Sequence, residues 1–303
     1  EQVHCDGIES VVTLLDVGTG KEMVLPAHPQ PCLDHAVVAQ GGRVFVMGGC
    51  DGLFKPVRSV HVLAPVDASG SVKTWEWRQC SPMHHARAGA AAFPLEDGRI
   101  VVAGGWSGGA HLASVEIFDP ATNSWAFAAP MQLPRAWAAS GRAGNLHVVA
   151  GGIRGSESVV NDGCLASAEA FDPAANSWGP APPLPSARSA PLFASTLEAT
   201  QATASSGDPH LAPPALVCLG GRCNAEPTTA SAVLHGKQWK TLPPLAAPRS
   251  SGGSILGGIS PTKVASFTGK DDLILDLVAG SYEPAPWTIE DPEGISAVAL
   301  LFR

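Results

Sequence analysis

The sequence predicts an all-β fold built from a repeated unit of four short strands, and three observations carry this prediction. Apolar runs end in a double glycine four times, as RVFVMGG, RIVVAGG, LHVVAGG and LVCLGG, which is typical of buried strands closed by a bend. Four tryptophans are each followed five residues later by a proline and ten residues later by an arginine. These copies recur with a period of about 53 residues, within the range of stacked repeats.

The tryptophan spacing defines the register of the repeat. The residues that share it are Trp77, Trp125, Trp178 and Trp239, then Pro82, Pro130, Pro183 and Pro244, then Arg87, Arg135, Arg188 and Arg249. The double glycines are Gly48, Gly49, Gly104, Gly105, Gly151, Gly152, Gly220 and Gly221. The same spacing places degenerate copies at Val24, with Asp34 in the place of the arginine, and at Trp287. The sequence therefore predicts six registers.

One repeat divides into four strands, here called a to d. In the second full copy we expect strand a at residues 89–93, b at 99–103, c at 115–118 and d around Trp125. The segment Asp119-Pro-Ala-Thr-Asn123 between c and d has the residue types of a tight turn. Because a sheet this small cannot bury both faces alone, neighbouring sheets must stack to form the core.

The segments RIVVAGG, SVEIFDPATNSW and SAEAFDPAANSW, with the later Pro and Arg, resemble kelch repeats, and the resemblance covers essentially the whole chain. It implies a six-bladed kelch β-propeller with four-stranded antiparallel blades in a single domain, residues 1–303. A C-terminal strand a would join the N-terminal blade, as in kelch-like ubiquitin-ligase adaptors. The expected internal blades are 35–82, 87–130, 135–183, 188–244 and 249–292, with a composite blade of 1–30 plus 297–303 and an inserted loop at 195–214.

Composition limits the classes of partner. The net charge of −8 gives no electrostatic reason to bind nucleic acid or an anionic membrane, and we expect neither as a partner. No apolar run is long enough for a transmembrane helix. Seven cysteines at irregular spacing favour a reducing compartment, so we expect a cytoplasmic or nuclear protein. The opening residues lack Met and a signal pattern, so we expect a fragment or a processed form.

The repeated residues are interpreted first as structure. The tryptophans, Trp287 included, are expected to fill the space between adjacent blades, and the glycines to allow a bend and a close backbone approach. The arginines have two interpretations: they ring the channel and attract an acidic peptide, or they bond loop carbonyls. Periodicity favours the second, because a scaffold needs every copy and a ligand rarely does.

The b–c and d–a loops lie on one face of a blade, and the resemblance implies that this face holds the partner. The exposed candidates for partner binding are Phe54, Arg58, Trp106, His111, Arg154, Glu157, Asp162, Arg222, Asn224 and Glu226. Trp137 joins them because it has no counterpart in the other copies. Trp and Arg are enriched at binding hot spots, although each residue also fits an ordinary solvated loop.

The sequence gives little support for a catalytic or metal-binding function. His84 and His85 are adjacent and cannot both face one metal on an extended strand, and Cys218 with Cys223 has no second pair at zinc spacing. A copper-radical oxidase would need two tyrosines, whereas the sequence has Tyr282 alone. Gly105–Gly109 (GWSGG) has the spacing G-x-S-x-G, but no helix is expected after this double glycine, as a nucleophile elbow requires. We expect no catalytic residue, no metal and no cofactor.

Two functions remain open at this point. The first is a non-catalytic recognition propeller that binds a protein or peptide. It would be the substrate receptor of a ubiquitin-ligase adaptor with an upstream BTB or F-box domain, or a subunit of a large assembly. The alternative is a sugar isomerase or mutarotase with a channel-mouth active site, for which Arg154, Glu157 and Asp162 form the densest polar set.

Overall fold

The computed structural model describes twelve segments of the chain. They are residues 12–16, 21–67, 73–143, 145–155, 163–195, 216–223, 226–235, 237–248, 255–258, 263–267, 273–276 and 281–284. These residues contain 24 β-strands and no helix. A helix of the length and hydropathy needed to cross a membrane is accordingly not found among them. The chain divides into two compact units, one comprising Glu1–Ala136 with Pro292–Arg303 and the other Trp137–Asp291, and each is described by itself.

The first unit contains a hairpin and two four-stranded antiparallel sheets. The hairpin is β1 (Val12–Asp16) with β2 (Lys21–Leu25). One sheet is β3 (Ala36–Gln40), β4 (Arg43–Met47), β5 (Val60–Asp67) and β6 (Lys73–Gln79). The other is β7 (Ala91–Pro94), β8 (Ile100–Ala103), β9 (Val115–Asp119) and β10 (Ser124–Ala128). In both sheets each strand pairs with the next along the chain, which is the predicted order a to d.

The second unit contains three four-stranded sheets and a very short hairpin. The first sheet is β11 (Ala139–Ala143), β12 (Leu146–Ala150), β13 (Ala168–Asp172) and β14 (Ser177–Ala181). The next joins β15 (Leu192–Ser195) and β16 (Leu216–Leu219), across the hairpin β17 (Arg222–Cys223) and β18 (Glu226–Pro227), to β19 (Ser231–His235) and β20 (Gln238–Leu242). The last is β21 (Ile255–Gly258), β22 (Lys263–Phe267), β23 (Leu273–Asp276) and β24 (Ser281–Pro284).

The core of each unit lies between successive sheets. In the first unit, Phe45 and Met47 of β4 pack in one cluster with Ile100, Val102 and Phe118 of the following sheet. The second strands β8 and β16 are apolar on both faces, and all four residues of each are buried, because each face meets a neighbour. Stacking therefore supplies the burial that a single sheet lacks.

The all-β prediction and the four-stranded antiparallel repeat are confirmed. The predicted strands b and c of the second copy correspond to β8 and β9. The count of six blades, the domain boundaries and the joining of the two chain ends stay predictions. The expected closing strand at 297–303, and residues 196–214 of the inserted loop, lie outside the described residues.

Within each unit, the repeated aromatic residue links a sheet to the repeat before it. Trp125 pairs with Phe118 one position beyond the c–d turn, and its indole Nε1 donates a 2.8 Å hydrogen bond to the carbonyl of Ser81. Ser81 lies four residues after Trp77. The same bond recurs from Trp77 to Pro26 at 2.7 Å and from Trp239 to Pro182 at 2.9 Å. The geometry supports the structural interpretation of the tryptophans.

The last sheet corrects the register that spacing placed at Trp287. Tyr282 pairs with Leu275 one position beyond the turn, as Trp125, Trp178 and Trp239 do with their partners. Its hydroxyl donates a 3.1 Å hydrogen bond to the carbonyl of Pro243, four residues after Trp239. Tyr282 therefore takes the place of the repeated tryptophan, and Trp287 itself lies outside the described residues. A fixed spacing cannot detect that the loops of this copy are shorter.

The position aligned with the tryptophans in the first copy also differs from the predicted one, by two residues. Glu22 pairs with Leu15 one position beyond the turn, so Glu22 and not Val24 is aligned with the tryptophans. The arginine position then falls on Cys32 and not on Asp34. Cys32 donates its thiol at 3.5 Å to the carbonyl of Gly48, an interaction that the arginines make in other copies.

We expect Tyr282→Phe to lower the free energy of unfolding by about 0.5–1.5 kcal/mol, because it removes the donor to the Pro243 carbonyl and keeps the ring. Urea denaturation followed by circular dichroism measures the change. Trp239→Phe, which removes the equivalent indole donor, is the matched comparison. Unchanged stability in Tyr282→Phe alongside a loss in Trp239→Phe would contradict the corrected register.

Candidate functional site

At one end of four of the described sheets, short backbone bridges close the b–c loop, and in three of them a bridge also joins that loop to the d–a loop. A d–a loop residue pairs with the residue after the double glycine, and that residue pairs back across its own b–c loop. The bridges of the first unit are Leu33–Cys50, Cys50–Pro56, Ala88–Trp106 and Trp106–His111. Those of the second are Ile153–Cys164, Ser189–Arg222 and Arg222–Pro227. The candidate surface therefore has an ordered backbone.

The repeated arginine connects two double glycines. The carbonyl of Arg87 accepts the N–H of Gly49 at 2.9 Å. Its guanidinium Nη1 donates to the carbonyl of Gly104 at 2.6 Å and to that of Ser114 at 3.0 Å. Arg188 does the same within the second unit: its carbonyl accepts from Gly152 at 2.9 Å and its Nη1 donates to Gly220 at 2.9 Å. One residue thus holds the strand b ends of successive sheets.

The first glycine of each pair must be glycine for two reasons. Gly48 and Gly104 have φ of 65° and 70°, a region that strains other residues. A Cβ on Gly48 would also collide with the carbonyl oxygen of Arg87, and one on Gly104 with that of Arg135. The double glycine is therefore required by the approach of the arginine backbone, as the sequence indicated.

The arginine side chains are inside the protein. Arg87, Arg135 and Arg188 are 1%, 1% and 2% exposed. Their burial, together with the carbonyl contacts of Arg87 and Arg188, supports the structural one of the two interpretations. Arg249 lies outside the described residues.

A buried carboxylate that sequence reasoning missed neutralises Arg87. Glu116 of β9 is fully buried, and its Oε1 accepts from Arg87 Nη2 at 2.5 Å. Its Oε2 accepts from the backbone N–H of His84 at 2.7 Å and contacts His84 Nδ1 at 2.9 Å. Burial acts to raise the pKa of Glu116, but the His84 N–H bond and the Arg87 charge outweigh it and hold the pKa below its ordinary value.

The partner of the arginine differs from sheet to sheet. Ala232 of β19 stands where β9 has Glu116, and there Arg188 Nη2 donates to Ser186 Oγ at 2.5 Å. In the first sheet His61 stands in that place. The missed signal was a charged residue at an inward position of strand c, in SVEIFD. Within the described part of the chain, no three or more His, Cys, Asp or Glu side chains are grouped so as to hold a metal.

The structure places eight of the eleven candidate partner residues. Exposed side chains belong to Phe54, Arg58, Arg154, Arg222 and Glu226. Partly buried ones belong to Trp106, His111 and Trp137. Glu157, Asp162 and Asn224 lie outside the described residues. Their roles in binding stay predictions.

Trp137 is unique in side chain but not in backbone. Its φ is 48°, and Ala190 in the next copy has φ of 49°. Asp34 and Gly89 take the same left-handed conformation at this position in the first unit, with φ of 54° and 58°. The left-handed turn therefore recurs in the repeat, and this copy differs from the others in having a tryptophan side chain there.

The b–c loop of the first sheet ends in an exposed apolar tip. Leu53 and Phe54 are 78% and 69% exposed. Asp51 fixes the turn: its Oδ1 accepts the N–H groups of Leu53 at 3.0 Å and Lys55 at 2.9 Å, and its carbonyl accepts that of Phe54 at 2.9 Å. Phe54 has φ of 56°, which is strained for a residue with a side chain. The turn presents two apolar side chains to solvent.

Comparison with known proteins agrees with this architecture. Residues 31–84 and 97–132 match the Kelch motif family, and they include β4 to β6 and the apolar tip. These two stretches contain kelch motifs, and the chain is similar over a longer range to proteins with kelch repeats. The matched stretches contain Trp77, Trp125 and Glu116 together with the first two double glycines, whereas Arg87 lies between them.

Three curated relatives show the range of the similarity. The chain is 44% identical over 59 residues to the influenza virus NS1A-binding protein homolog of Xenopus laevis, covering 20% of this chain and 9% of that protein. It is 28% identical over 155 residues to beta-scruin of Limulus polyphemus (51% and 17%). It is 26% identical over 198 residues to kelch-like protein 35 of Mus musculus (65% and 28%). The kelch match thus spans less than a third of each relative's length.

A solved structure shares the fold. The structure of YjhT superposes with a TM-score of 0.66 at 16% sequence identity, over 91% of this chain and 89% of that one. At this identity the likeness concerns the fold alone. It agrees with the predicted fold class, an all-β kelch fold of four-stranded antiparallel sheets.

We expect Glu116→Gln to lower the free energy of unfolding by about 3–5 kcal/mol, because the buried Arg87 cation loses its counter-charge. Chemical denaturation measures the loss. Glu76→Gln is the control, since Glu76 is 59% exposed and lies 4.0 Å from Arg78; it is expected to cost less than about 1 kcal/mol. Equal costs in the two variants would contradict the assigned role of Glu116.

Proposed function

We propose that this kelch-repeat protein is a non-catalytic recognition module that binds a partner protein or peptide through its b–c and d–a loops. The observation that carries the proposal is the apolar tip of the first b–c loop, Leu53 and Phe54. A large exposed apolar pair on a fixed turn is what a protein contact site presents. A rigid backbone also lowers the entropy lost on binding.

The strain at Phe54 supports the proposal independently of its exposure. A left-handed backbone costs a residue with a side chain roughly 1–2 kcal/mol, and glycine would avoid that cost. Residues held in such conformations cluster at ligand-binding sites. The Asp51 turn maintains the conformation of Phe54 while the ring remains 69% exposed. A contact with a partner accounts for both features.

Neighbouring loops extend the same surface. Pro56 closes the first b–c loop, and a Cβ on Gly108 of the next b–c loop would lie 3.5 Å from its Cδ. The two loops are therefore in contact within the first unit. Trp106 and Arg58 on them are residue types that dominate binding hot spots. Together they offer a continuous contact area around the apolar tip.

The relatives favour a protein partner. One of them is named for binding the influenza virus protein NS1A, and another is a kelch-like protein. On this basis we propose that the chain serves as the substrate-receptor part of a ubiquitin-ligase adaptor or as a subunit of a larger assembly, in the cytoplasm or nucleus. The first of these roles requires a BTB or F-box domain in the same protein, and the full-length gene product tests that directly.

The enzyme alternative has a separate test. A double variant, Trp106→Ala with Arg154→Ala, removes two candidate loop side chains. We expect wild type to leave the anomeric exchange of a panel of free sugars at its uncatalysed rate, measured by proton NMR, because recognition without catalysis needs no turnover. Acceleration by wild type that the double variant loses would overturn the proposal in favour of a sugar isomerase or mutarotase.

We expect Phe54→Gly to weaken partner binding at least about 30-fold, because it removes a hot-spot ring. The same change should leave stability unchanged or raise it by about 1 kcal/mol, because glycine relieves the strained φ. Peptides selected by immobilised wild type from a random display library serve as the probe, and calorimetry measures their affinity. Leu146→Ala is the control, since Leu146 is 44% exposed at an a–b turn. Retained affinity in Phe54→Gly would show that the tip is not the contact site.

A further inference from the structure

Strand d is a terminal strand of every four-stranded sheet in the described part of the chain, so it has one edge without a neighbouring strand. Such an edge presents N–H and C=O groups that can pair with another chain, and proteins commonly protect it with charged residues or proline. Four of the five strands d have this protection. The residues are Lys73, Glu76 and Arg78 in β6, Pro180 in β14, Lys240 in β20, and Glu283 and Pro284 in β24. Strand β10, with the sequence SWAFA, has neither a charge nor a proline.

The unprotected strand also has an exposed aromatic ring. Phe127 lies two residues after Trp125, and its side chain is 58% exposed. The residues at the same position of the other four-stranded sheets are Gln79, Pro180, Thr241 and Pro284. These sheets therefore have a polar residue or a proline where β10 has phenylalanine. Both the strand edge and the ring beside it are open to contact.

Two imidazole rings flank Phe127 and are held in place from below. The ring centroid of His84 lies 4.6 Å from that of Phe127 at an interplanar angle of 30°, and that of His85 lies at 5.5 Å and 50°. Glu116 stands opposite Phe127 in the β9–β10 ladder. Its carboxylate accepts the backbone N–H groups of His84 at 2.7 Å and His85 at 3.1 Å. The three rings thus form a fixed aromatic platform, Phe127, His84 and His85, in which both imidazoles are about half exposed.

We propose that the edge of β10 binds an extended segment of a partner protein, which joins the sheet as a fifth strand and places an aromatic or branched apolar side chain on the aromatic platform. In strand addition, main-chain hydrogen bonds supply affinity and the side chains of alternate residues supply specificity. Aromatic pairs between neighbouring strands are favourable, and a platform that is already ordered loses little entropy on binding.

A single extended segment fits this site better than a second copy of the chain. Stable dimers bury about 1,200–2,000 Å², whereas a five-residue strand spans only about 17 Å and offers a narrow contact. An extended segment needs only the edge groups and the platform. Since β10 and the apolar tip of Leu53 and Phe54 belong to different sheets, this inference does not rest on the function proposed above.

Amide NMR of the whole chain with a defined probe tests strand addition. The probe is the capped peptide Ser-Thr-Val-Phe-Val-Thr-Ser, together with versions that have Val or Ser at the centre. We expect the amides of alternate residues in 124–128 to exchange more slowly when the peptide is bound, and affinity to fall in the order Phe, Val, Ser. Because alternate residues of a strand face the edge, N-methylation of the peptide at one set of alternate residues should abolish binding. N-methylation of the other set should not.

Variants at one position of the repeat separate the edge from the rest of the protein. We expect Phe127→Lys to weaken binding of the central-Phe peptide at least about 10-fold, because it removes the ring and places a charge on the edge. Phe127→Thr, which copies Thr241 of β20, removes the ring alone and should also weaken binding. Gln79→Lys is the matched control, because it makes the same change at the equivalent exposed position of β6. It should bind as wild type, and so should Phe54→Gly.

Three results would overturn the proposal. One is a wild type whose β10 amides are not protected by any of the three peptides at millimolar concentration. Another is equal binding by the two N-methylated series, which would exclude main-chain pairing, and this comparison needs only wild type if the Phe127 variants do not fold. The third is protection of β10 that rises with protein concentration in the absence of peptide, which would assign the edge to a second copy. Loss of binding in Phe54→Gly together with retention in Phe127→Lys would assign the peptide to the apolar tip instead.

Discussion

A buried arginine placed between two double glycines sets how one sheet follows the next. The carbonyl of Arg87 accepts from Gly49, and its guanidinium donates to Gly104, so a single residue fixes the ends of two successive b strands. The approach leaves no room for a Cβ on Gly48 or Gly104. A cation that is 1% exposed also needs compensation, which Glu116 supplies. The double glycine, the arginine and the strand c carboxylate thus depend on one another: the glycines leave space for the arginine, and the carboxylate neutralises it.

Arg87, Glu116 and Gly104 meet that requirement in full at the end of the β7–β10 sheet, and the loops beyond it remain available for function. The bridges from the d–a loops to the residues after the double glycines start at the same arginine segment, as in Ala88–Trp106. A loop rooted in this way can hold a strained turn at its tip. Phe54, at φ of 56° and 69% exposed, has an unfavourable conformation and an unfavourable environment in the free protein. The sheet and its loop bridges stabilise a conformation of Phe54 that the loop tip would not keep by itself. Rigid scaffolds commonly support strained binding loops in this way.

Sequence reasoning recovered the features that are local and repeated. It failed for features that depend on contacts between distant residues or on backbone conformation. Apolar runs, turn residues and the Trp–Pro–Arg spacing were sufficient for the strands of the second copy and for the kelch fold. Spacing misplaced the last aromatic anchor, because Tyr282 differs from tryptophan and its copy has shorter loops. Glu116 was missed because burial with Arg87 is a contact between residues 29 apart. The strain at Phe54 could not be predicted at all, since a positive φ in a phenylalanine leaves no mark on composition or periodicity.

The repeat solves one electrostatic problem in three ways, and the solutions have different consequences. Arg87 with Glu116 is a buried ion pair with both charges present. Arg188 has Ala232 in the carboxylate position and donates instead to Ser186, so its charge is spread over neutral acceptors. At the first sheet Cys32 and His61 remove both permanent charges. Histidine thus enters the repeat in two ways: His61 stands in place of the carboxylate, whereas His84 and His85 contact the carboxylate of Glu116.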